Sequence, residues 1–379
     1  MNERHSMTVN QPLMNTYSWL KANRTELPGI RIDGVPTLTA SVPDGIAVRE
    51  EGPEAGMGRY AGMKTGMGPD METLLSRSGT TTRVYTAPRG WKGGALRLHY
   101  AFRNTERYDP DHREGSAAGS MESVCLEAAN GSELTVIMDY HSIIGGAGLG
   151  AVQTKAVVGK NAVLRLVQVQ RLGGGYTLLN NIGVQCGENA RFELIRLVLG
   201  GQHTYDGCSV ALDGDRAAFS CEIGYRVGGE GRLDMNYEAV HTGRRTESEI
   251  RAAGVLRDRA SKIFRGTIDL QKGCSGSVGN ETEDVLLMDE TVRNRTVPVI
   301  LCGEEDVVGN HGATIGRLDE NLIFYLQSRG MTRDEIYELC ARARIDAVIR
   351  KIPDAETIRR LFPHFAEDNA NDMESGAET

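Results

Sequence analysis

NGSELTV (130–136), GKNAVLRL (159–166), GENARFEL (187–194) and GDRAAFS (214–220) are four versions of one pattern: a glycine-marked turn followed by alternating residues of strand type. With Gly131, Gly159, Gly187, Gly214, Gly243, Gly273 and Gly303 as markers, the spacings are 28, 28, 27, 29, 30 and 30 residues. A second series, Gly146, Gly174, Gly201 and Gly229, runs half a period out of phase at 28, 27 and 28. Two interleaved series at one period imply two strands and two turns per repeat. One such coil cannot bury its inward face alone, whereas coils stacked about 4.8 Å apart share a core and satisfy each other's backbone groups. A β-sandwich would alternate too, but has no reason to keep two series in step. The expected fold is therefore mainly β, a right-handed parallel β-helix core.

Outside the repeats the chain changes character. NTYSWLKANR (15–24) predicts a short helix, and residues 50–71, with GMG, GM and GMG in quick succession, read as a flexible linker. Met57, Met63, Met67 and Met71 there are soft donors in principle, but incidental linker methionines are the better reading. After the repeats, Asp319 caps a helix to about Arg329, Gly330 suits its C-terminal turn, and Thr332 with Glu335 forms a capping box for a second helix that Pro353 stops. Apolar stripes on both predict packing against the end of the solenoid, with Phe324, Tyr337 and Arg344 left as candidate partner-facing positions. The tail is acidic and poor in large apolar residues, so disorder is expected. The resulting division is an N-terminal helical or irregular segment with a Gly/Met-rich linker (1–79), the β-helix core (80–317), a C-terminal helical domain (318–365) and an acidic tail (366–379).

Composition excludes several functions. With 379 residues and 40% hydrophobic content the chain can bury a sizeable core, and no apolar run approaches the length needed to span a bilayer. The start, MNERHSMTVNQ, lacks the apolar core of a signal peptide, so a cytoplasmic location is expected by default. A net charge of −8 argues against nucleic acid or an anionic membrane as partner. No G-x-x-x-x-G-K-[ST] pattern occurs, so no nucleotide is expected on this chain. Seven cysteines without a C-x-x-C pair fit neither a disulfide framework nor a zinc ribbon. By period, Cys302 and Cys274 fall in adjacent coils, within roughly 8 Å if the register holds.

The segment HGATIGRLDENLIFYLQSRGMTRDE (311–335) resembles the C-terminal signature of the SufB/SufD family of iron–sulfur cluster assembly proteins, in its SufD form: His-Gly-Ala-Thr, then Gly, Leu-Asp-Glu, Phe-Tyr-Leu and Ser-Arg-Gly. The glycine-paced repeats and TYSWLKANR agree with it more loosely. The resemblance implies a scaffold subunit with no catalysis of its own. It would pair through the β-helix with a SufB-like paralogue or with itself, and its helical domain would engage a SufC-like ATPase. It would depend on a cysteine desulfurase system for sulfur and hold iron or an iron–sulfur cluster transiently at the subunit interface. The histidine of the signature falls on His311, an imidazole that would hold iron more loosely than thiolate. SufD-type chains often carry a cysteine two residues earlier, where this chain has Gly309, which leaves Cys302 as the nearest thiol and second candidate metal ligand. Two other readings remain open: a β-helix carbohydrate-active enzyme using paired carboxylates, and an interaction protein without metal.

Overall fold

Strand follows strand through most of the chain. The computed structural model describes residues 5–15, 22–52, 60, 62–108, 110 and 118–363. Before the repeats it shows β1 (His5–Val9), β2 (Thr25–Gly34), β3 (Thr37–Ser41), β4 (Ala47–Glu51), α1 (Pro69–Ser78), β5 (Thr82–Ala87) and β6 (Leu96–Phe102). Each repeat then supplies two strands. They are β7 (Ala118–Ala128) and β8 (Glu133–Ser142), β9 (Ala147–Val158) and β10 (Val163–Arg171), β11 (Gly175–Cys186) and β12 (Arg191–Val198), and β13 (His203–Leu212) and β14 (Ala218–Val227). There follow β15 (Arg232–His241) and β16 (Glu247–Leu256), β17 (Ser261–Leu270) and β18 (Ser277–Leu287), and β19 (Arg293–Cys302) and β20 (Val307–Gly316). Odd strands pair in parallel in one sheet and even strands in the other, giving a parallel β-solenoid of about 7 turns.

The glycine period is a stacking contact. Gly159, Gly187, Gly214 and Gly243 each donate a backbone N–H to the coil below, to Ala128, Val158, Cys186 and Leu212, at 2.8–3.1 Å. A Cβ on Gly214 or Gly243 would collide with the backbone of the turn beneath, which is why these positions carry none. Gly131 marks a different place. Its φ of 72° puts it with Asn161, Asn189, Arg216 and Arg245, the residues of the following turns with φ of 52–59°. Glu133 pairs with Val163, so the first step is 30 residues where the marker spacing gave 28.

Alternation along the strands fills the interior with Leu164 and Leu166, Phe192 and Leu194, Phe219 and Cys221, against Ile182, Val184, Cys208 and Val210. Phe192 and Phe219 stack at 5.6 Å between centroids. Next to this apolar column lies a buried polar one. Arg196 donates to Asp206 at 2.5 Å and to Gln170 at 2.6 Å, and Asn180 donates to Asp206 at 2.9 Å and to Gln168 at 2.8 Å. The Arg196 and Asp206 side chains are wholly buried.

His241 ends β15 inside the wall, its two ring nitrogens 2.7 Å from Thr246 Oγ1 and 2.8 Å from Ser248 Oγ. Burial lowers its pKa to about 4, so the ring folds neutral. In the unfolded chain it takes a proton at about 6.5. Below that pH the unfolded state gains a proton that the native state refuses, and stability falls with pH through about 4, by about 3 kcal/mol in full. Urea unfolding midpoints followed from pH 7.5 to 5 are expected to drop more steeply for the wild type than for His241→Gln; parallel curves would refute this assignment.

Both outer faces of the solenoid are covered, and here three expectations are corrected. The first concerns the N-terminal segment, whose described part holds the four strands β1 to β4 as well as the helix α1. β3 and β4 pair antiparallel with β6 and β5, and β1 with β2, at the start of the solenoid. The helix expected at 15–24 falls largely on residues outside the described ones. The second concerns the linker, whose described residues 62–68 form a strap on the odd-strand sheet. Gly66 N–H donates to Ile182 O at 3.1 Å, Met67 N–H to Asn181 Oδ1 at 2.9 Å, and Asn236 to Gly66 O at 2.8 Å. Gly183 and Gly207 give the strap its seat, since a Cβ at either would strike Lys64 or Met67. Met67 and Met71 are buried beneath it as packing residues.

The third correction concerns the helices α2 (Glu320–Gln327), α3 (Arg333–Ile349) and α4 (Ala355–Leu361). They do not close the end of the solenoid. The chain turns back after β20, and α3 lies on the flank of the even-strand sheet, where Ile345, Val348 and Ile349 meet Ile137, Val167, Val169, Ile195 and Leu197. Those five sheet residues point away from the interior and would be exposed without the helix. Gly224 allows close approach, its missing Cβ lying 3.3 Å from Val348. Arg226 and Arg257, each 2.7 Å from Glu338, pin the same helix. The sequence-read caps are present: Asp319 accepts from Asn321 N–H at 2.7 Å, Thr332 and Glu335 form the capping box, and Gly330 has φ 95°. No described helix is long and apolar enough to cross a membrane.

Candidate functional site

With both flanks covered, the end formed by β19 and β20 stays bare. Each is the last strand of its sheet, paired on one side only, and most of their residues are exposed or half-exposed. Free strand edges invite pairing with another chain. The middle of β19 is blunted by Pro298, which has no N–H to offer, so an incoming strand has its better purchase on β20.

His311 lies in the middle of β20 and is exposed. Its register partner is Glu281 of β18, whose own partner one coil back is the buried core residue Ile250. His311 thus occupies the row that faces the solenoid interior, in a coil that no described residue covers. On the opposite wall the corresponding row runs Tyr237, Gly266, Pro298.

Beneath this last coil the interior turns charged. Lys262 and Glu283 form a fully buried ion pair, and Glu283 also accepts from Tyr225 at 3.3 Å and Thr296 at 2.5 Å. Glu281, 3% exposed, has no such set, and its Oε2 has no hydrogen-bond partner among the described residues. Its carboxyl reaches across to Gly266, where a Cβ would collide with it. Burial, reinforced by Glu283 and opposed by Lys262, pushes Glu281 up to about 7. Neither acid was expected from the sequence. The signal was present: stacking the repeats puts Ile250 over Glu281 and Ala252 over Glu283, two apolar inward positions that turn acidic one coil before the end.

Cys302 is not beside His311. It closes β19 next to Leu270, four residues beyond Pro298, about 13 Å along the strand at roughly 3.3 Å per residue. It is exposed. Cys274, in the turn between β17 and β18, is buried among Ile268, Leu270, Ile300 and Val307. Burial raises its pKa, with Ser277 opposing, so it is a packing thiol and not a ready ligand. Burial also holds the thiols of Cys125, Cys186, Cys208 and Cys221 far up. Among the described residues no three His, Cys, Asp or Glu side chains converge as a metal site. What the end offers is one imidazole above one orphan carboxyl.

The helical positions divide. Phe324 is 74% exposed, and Leu322 and Tyr325 of α2 and Leu339 of α3 are each 41–52% exposed. Tyr337, expected to face outward, is buried with Val255, Leu286, Ile323, Ile336 and Ala341, because α3 rests a wide face on the sheet. Arg344 is half-buried and 3.4 Å from Asp284 of β18, holding the helix to the flank.

Known proteins match this chain in sequence. The family model described as SUF system FeS cluster assembly, SufBD core domain, matches residues 112–344. The chain is 25% identical over 242 residues to the iron–sulfur cluster assembly protein SufD of Bacillus subtilis, covering 63% of this chain and 55% of that one. It is 24% identical over 200 residues to SufB of the same organism, covering 52% and 42%. A SufBD family protein of Mycobacterium tuberculosis is 27% identical over 197 residues, 23% of its length. The chain therefore spans about half the length of the Bacillus relatives and less of the mycobacterial one. Since the family model covers more than half of the chain, this open-ended solenoid belongs to the SufB/SufD family of the SUF iron–sulfur cluster assembly system, and its likeness is to the SufD type.

Proposed function

We propose that this chain is a SufD-like scaffold subunit that pairs through the β19–β20 end with a SufB-like paralogue or a second copy of itself. A SufC-like ATPase docks on the exposed side of α2 and α3. Iron and sulfide, the latter from a cysteine desulfurase system, are the cargo assembled at the shared end and handed on as a cluster. The chain itself binds no nucleotide and catalyses no turnover. The observation that carries this reading is the bare solenoid end with His311 inside it, between two covered flanks. A single imidazole suits a site that must release what it holds, because its bond to cluster iron is more labile than a thiolate's. Cys302 enters only if pairing brings it toward a partner's ligands, since it stands apart from His311 in this chain.

His311→Ala in the anaerobically assembled complex tests the proposal. The variant is expected to fold and pair normally, because residue 311 is exposed and bears no core contact, while iron in the purified complex falls well below half of the wild-type value. Equal iron and equal cluster yield in the two complexes would reject the metal role.

A further inference from the structure

We propose that Glu281 is a second iron(II) ligand of this chain, set in the solenoid interior directly behind His311. The inference rests on the reading of His311 as an iron-holding residue and extends it to a group on another strand.

Register supplies the first support. Glu281 and His311 are partners on adjacent parallel strands, roughly 4.8 Å apart, in a row that faces the interior. The second is the contrast between two neighbouring acids. Glu283 is fully engaged by Lys262, Tyr225 and Thr296. Lys262 is thereby committed, and Glu281 Oε2, 97% of its residue buried, has no donor among the described residues. A buried carboxylate without a donor is unfavourable unless a cation or a proton meets it. The third is the space made for it. Gly266 is bare where its row neighbours are Tyr237 and Pro298, and the Glu281 carboxyl lies against that bare backbone. The fourth is access, because among the described residues just one coil, the exposed last one, lies beyond the carboxyl. An ion entering from the open end meets His311 first and Glu281 next.

One imidazole nitrogen and one carboxylate oxygen suit iron(II), and two donors leave most of its coordination positions open. Those positions are available to water in the free chain and to sulfide or a partner's ligands in the complex. Binding is reversible coordination, with no electron transferred.

The test is anaerobic calorimetric titration of iron(II) into the full chain, with cobalt(II) as a spectroscopic substitute whose visible bands report a nitrogen–oxygen ligand set. The wild type is expected to take up one ion. Glu281→Gln, close in shape, should fold and weaken binding about 10-fold or more, as should His311→Ala. Gly266→Ala retains every charge but occupies the seat of the carboxyl, and the same loss is expected of it, so the conclusion does not hang on one variant folding. Glu305→Gln, an acid in the loop before β20, should bind like the wild type. If Glu281→Gln and Gly266→Ala bind iron as the wild type does while His311→Ala does not, Glu281 merely holds a proton, and the proposal fails with the scaffold reading intact. No saturable uptake by the wild-type chain also overturns it. Loss of iron from the assembled complex on His311→Ala would then still stand as the separate test of the scaffold reading.

Discussion

Arg196→Ala is expected to destabilise the chain by about 3–5 kcal/mol, the cost of leaving one buried charge without its partner. Arg196 and Asp206 are wholly enclosed between the two sheets, 2.5 Å apart. Gln170, Asn180 and Gln168 complete a network in which each partner serves the next. Truncating the arginine removes the only cation within hydrogen-bonding reach of Asp206 among the described residues and leaves a cavity as well. The double variant Arg196→Met with Asp206→Leu removes both charges and should recover most of the loss, since a well-packed apolar pair often equals or exceeds a buried ion pair. Chemical denaturation of the three proteins reads the difference directly. If the single and double variants lose the same stability, packing at these positions matters and the charges do not.

Phe324→Asp is expected to weaken docking of the SufC-like ATPase by about 30-fold or more, as loss of an aromatic anchor does at the centre of an interface. The expectation follows from where the helices lie. α3 spends Ile336, Tyr337, Ala341, Ile345, Val348 and Ile349 on the solenoid flank, so those residues have nothing left for a partner. Phe324, Tyr325, Leu322 and Leu339 are apolar and exposed on the same two helices. Tyr337→Ala separates the two roles. It should lower the melting temperature by opening a hole under α3, whereas Phe324→Asp should leave melting unchanged and reduce affinity. Titration calorimetry with the purified ATPase checks both, and undiminished binding by Phe324→Asp would remove this face from the interface.

Much of the fold could be read from the sequence because a solenoid repeats its physics. The same close contact beneath Gly159, Gly214 and Gly243 recurs at each turn, so the period survives even where side chains vary. Gly131 misled by two residues because a left-handed turn position also favours glycine. The strap over residues 62–68 was hidden for another reason. Its partners, Asn181, Asn236, Gly183 and Gly207, sit more than a hundred residues away, and a glycine-rich stretch reads as loose when the surface it binds is unknown. The end that stays open was also invisible, because an apolar stripe on a helix declares burial without saying against what. Of the site, His311 came from its signature motif. Glu281 needed the register, since an isolated glutamate on a strand looks like any solvated acid. Cys302 looked close to His311 by count along the chain and is distant because the two sit on opposite walls at different points along their strands.

The bare β19–β20 end is the proposed pairing surface. Hydrogen exchange of the chain alone and mixed with its SufB-like paralogue measures this most directly. The account predicts that amides of 293–302 and 307–316 slow by about tenfold or more on pairing, as expected when free strand edges become paired, while those of α3 and the 62–68 strap keep their rates. Protection that appears on α3 or on the strap, with the β19 and β20 amides exchanging as fast as before, would contradict it.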